Sequence, residues 1–203
     1  MNISGVSLAD QFGTRTVTVD EVKRICNPAN VNNEDPSAPN DPEHLVAYDL
    51  SNINPPFQTV PNQVVSNEFG TITVDVVMPQ LLLLPSAKSL SGPPPPLGDD
   101  SFDHFLCYQT RGGQTAVNNV HIDDEFGTII VDVKQPVRLC VPVDKNGEGI
   151  PDPTAYLMCY QVRIDSSSAF TPAGQVIVNN QFGPDGFQSY RTTELCIPSL
   201  LNP

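Results

Sequence analysis

Oxygen-bearing side chains recur at alternate positions in the stretch Asp144-Lys145-Asn146-Gly147-Glu148-Gly149-Ile150-Pro151-Asp152, with a glycine sixth in the run. Calcium takes about six to eight oxygens at about 2.3–2.6 Å, and a tight loop turning every second side chain to one point can supply them. The plainer reading is a polar linker punctuated by Gly and Pro. Asn30, Asn32, Glu34 and Asp35 echo the pattern only loosely, and the Pro-rich stretch near Pro93 lacks it. His121 precedes Asp123, Asp124 and Glu125, which invites a metal-cluster reading, but its alternating surroundings mark a solvent-facing strand position. Asp49 and Asp103 lie near His44 and His104, yet Tyr156 replaces the histidine where the pattern recurs, so no acid–base pair is common to the copies. No nucleophile–base–orienter set is legible, and no enzymatic activity is expected.

The elements that must position these residues follow an internal repeat. Phe12-Gly13, Phe69-Gly70, Phe126-Gly127 and Phe182-Gly183 fall 57, 57 and 56 residues apart, and Cys26, Leu83, Cys140 and Cys196 each follow fourteen residues after the Phe. Before each Phe-Gly stands an Asp or Asn and then a Glu or Gln; Asx residues tolerate turns and Gly supplies positive φ, so each motif predicts a hairpin. Val17 and Val19, Val74 and Val76, and Val131 and Val133 are two apart with polar neighbours, the period of half-buried strands. A further strand is marked by His44 to Tyr48, His104 to Tyr108 and Tyr156 to Tyr160. The repeated Phe is expected to pack a core, and each repeated Tyr to be partly buried with its hydroxyl on a backbone group.

The expected fold is all-β: tandem small antiparallel β-sandwich-like units of about four short strands each, three full units after an N-terminal half unit. The partition is 1–29 half unit, 30–43 linker, 44–85 unit without a disulfide, 86–103 Pro-rich linker, 104–142 unit, 143–155 acidic Gly/Pro linker, and 156–203 unit. The Pro93 to Pro96 run reads as a stiff spacer. In the last copy, turn residues from Pro184 through Tyr190 are expected to interrupt the strand.

Five cysteines leave one odd, and four can pair in three ways. Where the upstream strand carries Ala47, the later position carries Leu83, so both halves of one bridge are missing together. That predicts Cys107 with Cys140 and Cys159 with Cys196, each loop worth roughly 3–4 kcal/mol by chain entropy. Bridging across the linkers instead would leave two cysteines opposite Ala47 and Leu83. Cys26 stays unpaired, because the strand that should supply its partner would precede Met1; either the chain is cut from a longer array, or another chain completes the half unit through a disulfide or an added strand.

With 23 acidic against 10 basic residues and a net charge of −13, nucleic acid is disfavoured as a partner. No apolar run approaches the length of a membrane span. Asn2 to Gly5 lacks the marks of a signal peptide, while paired cysteines argue for export, so the sequence is expected to begin inside an exported chain.

The segment 144–152 resembles the calcium loops of thrombospondin type 3 repeats. That resemblance implies Asp144, Asn146, Glu148 and Asp152 as side-chain ligands and Ile150 as a carbonyl ligand; Glu148 departs from the usual Asp or Asn. His104 to Tyr108, Asp124 to Gly127 and Arg138 to Pro142 resemble a tandem module of secreted bacterial proteins, itself uncharacterised, which implies exported β-rich modules and no established activity. The functional expectation is an extracellular structural or adhesive protein, such as a filament, stalk or surface-layer subunit, associating with itself or with other surface proteins. The alternative is an extracellular ligand- or carbohydrate-binding module, for which Phe170, Phe187 and Tyr190 form the one aromatic cluster.

Overall fold

The computed structural model describes residues 2–94, 96 and 102–202, so part of the expected proline spacer lies outside the described residues. The strands are β1 (Ile3–Asp10), β2 (Gly13–Cys26), β3 (Ala29–Val31), β4 (His44–Asn54), β5 (Val60–Asn67), β6 (Gly70–Ser89) and β7 (Phe105–Gly112). They continue with β8 (Val117–Asp124), β9 (Gly127–Pro142), β10 (Asp144–Lys145), β11 (Tyr156–Ile164), β12 (Gly174–Asn180), β13 (Gly183–Ser189) and β14 (Glu194–Leu201). One 3₁₀ turn spans Ala38–Asn40. The fold is all-β and every ladder is antiparallel.

Each Phe-Gly motif closes a hairpin by the same local chemistry. The Asx carboxyl or amide oxygen accepts the N–H of the Phe two residues on, at 2.8 Å from Asp10 and Asp124 and 2.9 Å from Asn67 and Asn180. The following glycine then takes φ of 113°, 111°, 123° or 94°, a region costly for a residue with a Cβ. The alternating valines are buried: Val19, Val76, Val131 and Val133 are fully enclosed.

The spacer expected between the hairpin and the cysteine strand is not a break in the first three copies. β2, β6 and β9 run through it as single strands of 14, 20 and 16 residues, with bulges in the ladders absorbing the bend. In the fourth copy the interruption is shifted. Pro184 through Ser189 lie within β13, which pairs only with β12, and an edge strand tolerates a proline; the break falls at 190–193 instead.

The second halves of the long strands form a central sheet with the upstream strands, in the order β2-β4-β6-β7-β9-β11-β14. Each upstream strand thus sits between the long strand of its own copy and that of the copy before. Seven flat strands would span about 30 Å. Yet Arg24 on β2 contacts Glu194 at 3.1 Å and donates to Thr193 Oγ1 at 2.6 Å, so the sheet is rolled until its first and last strands face each other. The inner face carries all five cysteines with Ala47, Leu81, Leu83 and Phe105 in one cluster. The outer face carries Tyr48, Leu82, Tyr108, Leu139 and Tyr160, against which the hairpins pack.

The segments expected as linkers also pair, and so does the last stretch of the final unit. β3 adds to β8, residues Ala87–Ser89 add to β12, β10 adds to β1, and Leu200 and Leu201 at the chain's end add to β5. Taking the four copies as a ring, each copy's tail joins the hairpin two copies away. The copies therefore lie side by side in one interlocked sheet system.

Candidate functional site

Register explains the sulfur layer inside the barrel. Cys107 lies directly opposite Cys140, and Cys159 opposite Cys196; both pairs form disulfides with Cα atoms 3.9 Å apart. Ala47 faces Leu83 at the equivalent rung of the unbridged copy. The two bridges are neighbours, with Cys140 Sγ 3.8 Å from Cys159 Sγ. Cys26 is free, and burial, with the Glu194 carboxylate adding to it, pushes its thiol up to about 11. A thiol so rarely ionised at neutral pH is a poor nucleophile.

Two residues from the sulfur layer, on the same inward face, the lining turns polar. Arg24, Gln109, Arg138, Gln161 and Glu194 surround a cavity of about 690 Å³ at one mouth of the barrel, with Arg111 and Arg191 at its rim. Glu194 ties Arg24 and Arg138 together across β11 and the gap between β14 and β2. Four of the six arginines of an acidic chain meet at this mouth. Composition hid this convergence, since it depends on the roll of the sheet.

The repeated tyrosines are placed by the same ring logic. All three are fully buried, deeper than expected, and their hydroxyls meet turn side chains rather than backbone. Tyr108 donates to Asp10 Oδ2 at 2.5 Å and accepts from Arg15 at 2.6 Å. Tyr160 accepts from Asn67 at 2.9 Å, and Tyr48 from Asn180 at 2.8 Å. The Phe of each turn packs edge-on against the same Tyr, with ring centres 5.2, 5.6 and 5.3 Å apart for Phe12, Phe69 and Phe182. A model of a repeat of unknown function, DUF7450, matches residues 44–198. The chain belongs to this family. No curated protein and no solved structure shows significant similarity to it.

In this DUF7450 chain the second turn residue also reaches across copies. Tyr156 donates to Gln11 Oε1 at 2.9 Å, and His44 Nε2 lies 3.4 Å from Glu125. A buried lysine supports two of the turns. Lys88 reaches Glu125 at 2.6 Å and sits 4.5 Å over the Phe126 ring; Lys145 reaches Glu148 at 2.5 Å and lies 6.0 Å from the Phe182 ring. Burial drives the Lys88 pKa down and, with the Lys88 charge, depresses His44 to about 4, so His44 is neutral at physiological pH.

The side chains of the candidate calcium ligands Asp144, Asn146, Glu148 and Asp152 each have protein partners. Asp144 Oδ1 accepts Gly149 N–H at 3.1 Å, and Asn146 Oδ1 accepts Ser7 N–H at 2.9 Å. Glu148 is held by Lys145 and Gln181, with His104 Nδ1 3.7 Å away. Asp152 turns to Thr154, accepting its N–H at 2.8 Å and its hydroxyl at 2.7 Å, beyond Ile150. Among the described residues no group of three or more His, Cys, Asp or Glu is placed to hold a metal. The loop carries β10 and a brace for the fourth turn. His121 is solvent-exposed on β8. Of the aromatic trio, Tyr190 is 75% exposed, while Phe170 and Phe187 pack against the core. Among the described residues no helix is long and apolar enough to cross a membrane.

Proposed function

We propose that this DUF7450 chain is an exported structural or adhesive β-repeat body, a building block of an extracellular filament, stalk or surface layer. The observation that carries this reading is the interlock: each copy's tail, and the core tyrosine of the second, third and fourth copies, engages the hairpin two copies away, around a core with two disulfides. Such a body gains stability from crosslinks that persist in oxidising compartments, and its contacts are spent on cohesion rather than on presenting a reactive group. Negative-stain imaging and light scattering of the purified protein test it. Ordered multimers or fibres are expected, and surface labelling of intact producing cells should modify it. A monodisperse monomer at every concentration that binds a soluble ligand would overturn it.

A second reading rests on the barrel mouth. Arg24, Arg138 and Arg191 around a polar cavity suit an anionic small molecule, such as an acidic sugar. Titration calorimetry with acidic and neutral oligosaccharides separates the readings: heat with the acidic set, lost on Arg191→Ala, favours a binding module.

A further inference from the structure

The barrel has an open seam. The inner halves of β6 and β9 each have a strand on both sides, but β2 pairs there only with β4, and β14 only with β11 among the central strands. No backbone ladder joins β2 to β14; side chains bridge them through Arg24 and Glu194. Around the ring, the sequence of upstream strands β4, β7, β11 lacks its fourth member at this seam.

Three independent places record what that member would bring. Cys26 stands at the rung where Cys140 and Cys196 meet Cys107 and Cys159, and it is free. The third turn has no tyrosine. Asp10 holds Tyr108, whose ring lies between Phe12 and Phe57, with centres 5.2 and 4.9 Å away. At the corresponding turn, Asp124, Phe126 and Phe170 instead line a cavity of about 170 Å³, with Asn27 reaching Asp124 Oδ2 at 3.3 Å. The third place is Glu68. Its counterparts Gln11 and Glu125 meet Tyr156 and His44, four residues before the core tyrosine, whereas Glu68 lies against another carboxylate, Glu34.

We propose that the seam between β2 and β14 is a strand-acceptor site whose occupant is an extended segment, outside residues 1–203, with this repeat's own upstream pattern: His or Tyr, then Cys three residues later, then Tyr. The segment adds antiparallel to both edges and closes an eight-stranded barrel. Its Tyr fills the cavity beside Phe126 and hydrogen-bonds Asp124. Its His or Tyr meets Glu68. Its Cys joins Cys26, each thiol giving up one hydrogen to an oxidant, such as the disulfide of oxidised glutathione, which leaves as two thiols. The segment lies outside residues 1–203, because β4, β7 and β11, the strands that carry this pattern here, are all paired within the described chain. The inference stands on ring geometry and does not depend on the structural role proposed above.

The probe is a synthetic peptide with the sequence of residues 103–113, incubated with the whole chain in glutathione redox buffer at pH 8.5. A 1:1 disulfide adduct at Cys26 is expected by intact mass, with hydrogen exchange slowed at 20–26 and 194–199. A serine-for-cysteine version of the peptide, about 100-fold above its Kd, is expected to raise Tm by roughly 5–10 °C. Asp124→Ala should weaken that binding while Cys26→Ser leaves it intact. The proposal is overturned if a scrambled peptide reacts and protects equally, if neither edge gains protection, or if the chain alone already shows protected edges with a doubled mass. A monomer in solution that nevertheless accepts the peptide would sink the structural reading and leave this one standing.

Discussion

The hydroxyl of Tyr160 accepts a hydrogen bond from Nδ2 of Asn67 at 2.9 Å, although 93 residues separate the two. The same amide reaches Ser199 Oγ at 3.0 Å, so one side chain fastens the second copy's turn to the fourth copy's strands. Removing the hydroxyl with Tyr160→Phe leaves part of a half-buried amide unpaired, which costs about 1–3 kcal/mol. Urea titration should show a lower midpoint at unchanged slope. Tyr48→Phe, facing Asn180, is expected to behave alike.

Because turns and tails dock two copies away, unfolding should be cooperative. Calorimetry is expected to show one transition whose calorimetric and van't Hoff enthalpies agree. Several resolved transitions would mean that the copies melt independently. By the same argument, residues 156–203 alone should show no slowly exchanging core.

Reducing both disulfides should cost roughly 3–4 kcal/mol for each closed loop, of 33 and 37 residues. The rung itself tolerates apolar replacement, since Ala47 opposite Leu83 fills it in the second copy. Cys107→Ala with Cys140→Leu is therefore expected to keep the fold and lower Tm, whereas Cys140→Ala alone frees Cys107 and should promote mispairing. Circular dichroism and non-reducing peptide mapping distinguish these outcomes.

Two groups set opposing pH dependences. Burial, reinforced by Glu34, raises Glu68 from its ordinary 4.5 to about 7. The folded state holds that proton more tightly than the unfolded chain, so the contribution is full below pH 4.5 and is lost as pH rises through 7. His44, depressed from 6.5 to about 4, contributes above pH 6.5 and loses that contribution as pH falls through 4. Glu68→Gln should flatten the fall in Tm between pH 5 and 7. NMR of His44 should show a neutral ring at pH 5.5.

Millimolar calcium against chelator is expected to leave Tm unchanged, because the oxygens of Asp144, Asn146 and Asp152 already serve Gly149, Ser7 and Thr154. A calcium-dependent rise would show that the ion can recruit them.

The sequence by itself determined the four repeated turns and the alternating strands beside them. Phe12, Phe69, Phe126 and Phe182, each after an Asx and before a glycine, specify turns through contacts within two residues, which needs no knowledge of the rest of the chain. The paired absence at Ala47 and Leu83 pointed to the rungs that carry sulfur, because cross-strand partners must change together. What lay beyond it was every relationship spanning copies. Repetition marked Tyr48, Tyr108 and Tyr160 as equivalent positions but did not show that the hairpins of other copies cover them. Asp144 and Lys145 read as a linker because a two-residue strand has no period of its own and exists only through its pairing with β1. Tertiary structure alone decided the roll of the central sheet, since strand twist and curl sum over the six ladders that join its seven strands. That roll assembles the arginine-lined mouth and leaves the seam beside Cys26.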